Sequence, residues 1–226
     1  LRGIDVLRAA GVQVTGCIVL TRKNASAVGA ILRQMRARGI RSVALSRFSP
    51  AGYAAAQVAE LLPSRSELLV ALEQAEAFAL ESSMRMQVTM PVPACVLDTR
   101  DFPHLRFGSC PVGTEMQEIA LGPSGEIRHC TLHREALGDL RAQSLPEILG
   151  SEAIATYRDV HPEFCAPCPL REGCLGGCRA AAASTLGDPA GLDPFVAQHV
   201  DPAFAERLLE ARERGVAFVP LSSLRR

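Results

Sequence analysis

The stretch FCAPCPLREGCLGGCRAAA, from Phe164 to Ala182, places Cys165, Cys168, Cys174 and Cys178 within fourteen residues, and the alanine run after them reads as the start of a helix. The spacing is Cys-x2-Cys-x5-Cys-x3-Cys. A two-residue gap lets a pair of thiolates fold back onto one metal centre, and Pro167 and Pro169 stiffen that turn. Gly173, Gly176 and Gly177 remove side chains where the backbone must pass close to something bulky. Two cysteines upstream fit the same chemistry. Cys110 precedes a hairpin-like segment, and Cys130 ends it, five positions after Gly125.

Bulk composition narrows the setting. The 226 residues carry 24 Lys and Arg against 24 Asp and Glu, so the formal net charge is zero. That balance is unlike the basic footprint of a nucleic-acid binder, and no nucleic-acid partner is expected. No apolar run reaches the ~18–20 residues of a membrane span, so no membrane is expected either. The opening LRGIDVLRAAG has two Arg and an Asp and lacks the apolar core of a secretion signal. It also lacks an initiator Met and reads as the last turns of an amphipathic helix, with Ile4, Leu7 and Ala10 on one face. The expectation is a chain that has lost its beginning. Without a secretion signal the expected compartment is cytoplasmic, where eight cysteines serve as metal ligands or redox groups rather than disulfides.

The first ninety residues repeat one grammar of apolar strand, short link and helix. VQVTGCIVLT (12–21), IRSVALSRF (40–48) and MRMQVTM (84–90) read as strands, the first as a parallel strand buried on both faces, with Cys17 as a buried free thiol. NASAVGAILRQMRARG (24–39) reads as a helix capped by Asn24 or Ser26, with Ile31, Leu32 and Met35 inward and Gly39 at its end. PSRSELLVALEQAEAFALESS (63–83) is a second helix with Leu68, Leu69, Leu72, Ala75 and Ala79 inward. Strands separated by such helices call for a parallel sheet or barrel. Beyond Pro91 the texture changes. EIALGPSGEIRHC reads as a β-hairpin, SLPEILGS as a helix with Ser144 and Glu147 as capping box, and DPAFAERLLEARERG as a closing amphipathic helix.

Three roles compete for the thiols. Disulfides are disfavoured by the compartment. One structural zinc bound by the four clustered thiols leaves Cys110 and Cys130 unused, unless His129 and His133 help form a second zinc site. Iron–sulfur clusters use the whole set and account for the glycines. Outside these roles, Cys95 reads as structural or as a further cluster ligand, His129 and His133 as a solvated face, and Arg47 as a surface or sheet-end charge or a carboxylate contact.

The compound pattern Cys110-x14-Gly125-x4-Cys130, followed by Cys165-x2-Cys168-x5-Cys174-x3-Cys178, resembles the SPASM domain. That domain is the C-terminal extension of radical S-adenosylmethionine (SAM) enzymes that modify peptides and proteins. The match runs over about residues 105 to 200. The first ninety residues resemble the second half of the partial (βα)6 barrel of the same enzymes. The fold class implied is α/β: half of that barrel over residues 1–92, a linker over 93–108, a SPASM domain over 109–200 and a helix and tail over 201–226. AAGVQVTGCIVLTRKN resembles the late-barrel strand that ends near an Asn. SRFSPAGYA resembles the next strand and its turn, which makes Phe48 and Ser49 the implied neighbours of SAM.

The resemblance implies two auxiliary [4Fe-4S] clusters: Cys110, Cys130 and Cys178 at the first, and Cys165, Cys168 and Cys174 at the second. It also implies a peptide or protein substrate, an electron donor such as ferredoxin or flavodoxin, and a 5′-deoxyadenosyl radical generated by a reduced cluster from SAM. Three departures stand out. Val196 occupies the place of the seventh cysteine, so the second cluster needs Asp193, Asp188, His199, water or an incoming ligand. No cysteine lies between Cys110 and Cys130 to complete the first. The CxxxCxxC loop that binds SAM and the catalytic cluster is absent, so this chain alone is expected to be inactive. Thr131 stands where sulfatase-maturating members have an Asp, which disfavours that substrate class. A non-catalytic cluster-carrying or peptide-binding module, and a zinc-stapled domain, remain the alternatives.

Overall fold

The β-branched runs and the helices between them build one wall-like unit. A computed structural model describes residues 2–204 of the chain. The described residues divide into two compact units, one holding residues up to 49 and 59–109, the other 50–58 and those from 110 on.

In the first unit, α1 (Arg2–Ala9) precedes four parallel strands: β1 (Thr15–Leu20), β2 (Ser42–Arg47), β3 (Arg85–Val88) and β4 (Leu105–Phe107). They lie in sequential order, each beside the next, as the staves of a βα barrel do. Between β1 and β2 runs α2 (Val28–Ala37), which Gly39 ends at φ +70°. The chain leaves this unit at Ser49 and returns at Ala59 within the short helix α3 (Val58–Leu61). α4 (Arg65–Ser82) follows, and Ser64 with Glu67 forms a reciprocal capping box that satisfies two of its first N–H groups. Its buried residues Leu68, Ala71, Leu72, Ala75, Phe78 and Ala79 recur at three- and four-residue intervals, a stripe laid toward the sheet. On the sheet, Ile18 and Leu20, Val43 and Leu45, and Met86 and Val88, alternate residues of their strands, are buried in turn.

The strands are buried on one face only. Gly16, Ile18 and Leu20 are buried, whereas Thr15, Cys17 and Val19 are exposed. The expectation for Cys17 is therefore corrected: the two-residue period turns it away from the face that α2 and α4 cover. The segment read as a linker also holds structure, since β4 continues the sheet beside β3.

The second unit contains a small antiparallel sheet, β5 (Ala120–Leu121), β6 (Glu126–Arg128) and β7 (Ala136–Asp139). The hairpin expected from the Gly-Pro-Ser-Gly turn is β5–β6, with Gly125 at φ +87°. β7 is not legible in the sequence. Short helices follow: α5 (Leu145–Leu149), α6 (Glu152–Ala155), α7 (Arg171–Cys174), α8 (Arg179–Leu186) and α9 (Pro194–Val200). Ser144 and Glu147 form the expected capping box on α5. The turn Gly52–Gln57 packs against α8. The closing helix expected over residues 201–215 lies, from residue 205 on, outside the described residues. Among the described residues no helix is long and apolar enough to cross a membrane.

Candidate metal centre

All eight cysteines are free thiols. Three that stand far apart in sequence meet around one tyrosine. Tyr157, in the turn Thr156–Arg158 after α6, is buried, and its hydroxyl donates to the Cys110 thiol. Burial first, and then Cys110, Cys178 and Cys130 in their thiolate form, push that hydroxyl up from the ordinary tyrosine value, so all three sulfurs lie within electrostatic reach of it. Cys110 is itself raised, by burial above all, although the Val112 N–H and the Tyr157 hydroxyl stabilise its thiolate.

Each loop that brings these thiols in is tied down. Arg158 donates from Nη1 to the Val112 carbonyl at 3.0 Å and from Nη2 to the Glu172 carbonyl at 2.8 Å, clamping the Cys110 loop to α7. Cys130 follows shortly after the strand β6. Cys178 precedes α8, and its N–H donates to Asp193 Oδ2 at 2.7 Å. Asp193 is 1 % exposed; its Oδ1 accepts the Phe195 N–H at 2.8 Å and so caps α9. Both oxygens of this proposed replacement ligand are thus engaged in holding backbone. Val196 is packed in the core beside Phe195 and Ala197.

His129 and His133 are not solvated. They are 6 % and 5 % exposed, with ring centroids 5.0 Å apart, and His129 lies 4.5 Å from Tyr157. The turn after α6 sets the Tyr157 ring against both imidazoles, which helps take them out of water. Burial foremost, then the charges of His133 and Arg179, holds His129 down at about 4; burial also lowers His133, against Glu135.

The second group, Cys165, Cys168 and Cys174, sits on a tight local scaffold. Cys165 is buried, and its carbonyl accepts the Cys168 N–H at 3.0 Å. Leu175, Gly176 and Gly177 follow α7 with φ of 56°, 71° and 96°, a left-handed run that reverses the chain between Cys174 and Cys178. A Cβ at Gly176 would lie 2.8 Å from Pro162 and 3.4 Å from Cys165 Sγ; one at Gly177 would lie 2.6 Å from Asp193. The close approach expected of these glycines is real, and protein atoms supply it. At Gly173 no atom lies within 4 Å of such a Cβ, so packing does not require glycine there.

The donor chemistry suits an anionic, sulfur-rich group. Three thiols share one buried tyrosine, and ring or guanidinium nitrogens around it (His129 Nδ1, His133 Nδ1, Arg179 Nε and Nη1) are buried without a hydrogen-bond partner. Among the described residues no three His, Cys, Asp or Glu side chains close to metal-holding geometry, so the thiols are gathered into one neighbourhood rather than onto one point.

Phe48 and Ser49 lie at the carboxyl end of β2, in the first unit. Phe48 is buried and its N–H donates to the Leu20 carbonyl at 2.9 Å. Asn24 folds back at the end of β1, where its side chain bonds the Thr21 N–H and the Val19 carbonyl instead of capping a helix. Arg47 is fully buried, not on the surface, with Nε and Nη2 both 3.2 Å from the Pro91 carbonyl. Cys95 is exposed.

The PqqA peptide cyclase of Xanthomonas axonopodis pv. citri is 26 % identical over 227 residues, which span 97 % of this chain and 59 % of that protein. The PqqA peptide cyclase of Granulibacter bethesdensis is 28 % identical over 219 residues, spanning 94 % and 57 %. The chain resembles radical SAM enzymes of the SPASM type. It spans less than two thirds of the length of the curated relatives it matches. Solved structures share the α/β fold of the radical SAM enzymes. anSMEcpe with bound AdoMet and Cp18Cys peptide superposes with a TM-score of 0.59 at 13 % identity over 94 % of this chain and 62 % of that one. SuiB of Streptococcus suis bound to S-adenosylmethionine gives 0.59 at 12 % identity, over 84 % and 46 %. No protein-family model matches the chain.

Proposed function

We propose that this chain is the C-terminal portion of a radical SAM/SPASM enzyme that modifies a peptide or protein. One observation carries the reading: Cys110, Cys130 and Cys178, separated by 19 and 47 residues of chain, act together on the buried Tyr157. In this reading they hold the first auxiliary cluster, and Cys165, Cys168 and Cys174 hold the second. When bound, such clusters supply one-electron transfer or an iron site for a ligand. The residues of the chain do the rest. Tyr157 orients the Cys110 sulfur, Asp193 fixes the backbone at Cys178, and Arg158 binds the Cys110 loop to α7.

Phe48 and Ser49 are the proposed neighbours of SAM, supported by their place at the carboxyl end of a parallel strand, where α/β folds gather ligands. The names of the relatives support a peptide substrate, and a low-potential electron donor of the ferredoxin or flavodoxin class would serve the clusters. The chain alone is proposed to be inactive toward SAM, because its sequence contains no CxxxCxxC.

Anaerobic reconstitution tests the reading. The protein should turn brown and hold iron and acid-labile sulfide in comparable amounts; a colourless protein with about one zinc and no sulfide would support the zinc-stapled alternative instead. This chain alone should form no 5′-deoxyadenosine from SAM, whereas a cluster-replete full-length protein that also carries the CxxxCxxC half should form it under reductant. A cluster-replete full-length sample that forms none would leave a binding or electron-transfer module.

A further inference from the structure

Arg179 opens α8 directly after Cys178 and is 4 % exposed, although it carries a full positive charge. Its guanidinium carbon lies 4.6 Å over the Tyr157 ring, and Nη2 donates to the Arg158 carbonyl at 3.3 Å. Nε and Nη1 are buried without a partner. Among the described residues no carboxylate forms an ion pair with it. Asp159 acts on it but is exposed, and Arg158 adds a like charge.

Burying a lone guanidinium is expensive unless an opposite charge repays the lost hydration. A ring face and one carbonyl do not amount to a charge. Sulfur is the remaining source. Cys110 acts on Arg179 directly, and Tyr157, beneath the guanidinium, bonds to Cys110 and feels Cys130 and Cys178. As thiols these groups are neutral; as thiolates around a cluster they are not.

We propose that Arg179 is a positioning residue whose charge balances the thiolates of Cys110, Cys130 and Cys178 and makes the iron–sulfur cluster they hold easier to reduce. The inference rests on the cluster assignment under Proposed function. In the step concerned the cluster gains one electron from an external low-potential donor, and no bond or proton changes place. The added negative charge falls beside a buried cation, which favours the reduced form. Tyr157 serves both partners, with its hydroxyl on Cys110 and its ring under Arg179.

The test is a dithionite-poised redox titration of the intact, reconstituted protein, followed by electron paramagnetic resonance. The first-site signal is the one lost in Cys110→Ser. Arg179→Gln should lower the reduced-to-oxidised ratio at fixed potential by at least tenfold, a shift of ~59 mV for one electron. Arg179→Lys, which keeps the charge, should stay within about twofold of the wild type, or about 18 mV on the same scale. A midpoint unchanged in Arg179→Gln, or moved equally by both substitutions, overturns the proposal. If Arg179→Gln takes up no cluster, Arg179→Lys decides: wild-type cluster content and midpoint support the charge role, and loss of the cluster there overturns it. Wild-type protein without iron and sulfide overturns the cluster assignment itself, before any substitution is made.

Discussion

Asp193 offers the sharpest mechanical test of the cysteine scaffold. Its two oxygens receive the Cys178 N–H at 2.7 Å and the Phe195 N–H at 2.8 Å, from a position 1 % exposed. Replacing it with alanine leaves the part-buried Cys178 N–H without this acceptor, at about 1–3 kcal/mol for a donor left unsatisfied. The same change removes the cap of α9, at about 1 kcal/mol. Together the two losses come to about 2–4 kcal/mol of local stability. At ~1.4 kcal/mol per tenfold, hydrogen exchange of the α9 amides should quicken by about 30- to 1,000-fold. Amides of α4 in the other unit should be unaffected, which separates local opening from global unfolding. Measuring amide exchange in Asp193→Ala by mass spectrometry or NMR reads this directly. Protection of α9 unchanged within about threefold, or ~0.7 kcal/mol on that scale, would refute the assignment of Asp193 as the clasp between Cys178 and α9.

Two further outcomes follow from local geometry. Ser64→Ala breaks the capping box of α4 and should cost about 1 kcal/mol in denaturant unfolding of the first unit, with most of the cost recovered by Asp at that position. Hydrogen bonds from the Arg141 side chain and backbone hold Asp139 down at about 2, from an ordinary 3.8. A carboxyl lowered in the folded state contributes stability above the unfolded value that is lost as pH falls toward the folded one, so this contribution fades between about 3.8 and 2. NMR titration of Arg141→Ala should show the Asp139 midpoint returning toward 3.8.

Much of the fold is written locally. The strand–helix alternation, the stripe of Leu68, Leu72, Ala75 and Ala79, and both Ser-x-x-Glu caps depend on residues a few positions apart, and they form where the sequence places them. β4 and β7 are hidden in the sequence because three or four residues carry too little alternation to stand out from loop. Leu69, expected inward, is only half-buried, at the edge of the helix stripe.

The site divides along the same line. Sequence by itself determined which thiols were available and at what spacing, since the Cys-x2-Cys-x5-Cys-x3-Cys run and its left-handed glycines are local chemistry. Tertiary structure alone decided that Cys110, Cys130 and Cys178 gather with Arg179, His129 and His133 around Tyr157, that Asp193 is clasped to Cys178, and that Cys17 faces outward. The physical reason is burial. Spacing along the chain says which side chains share a face, but only the packing of one element on another removes that face from water, and with it sets the cost of every charge left there.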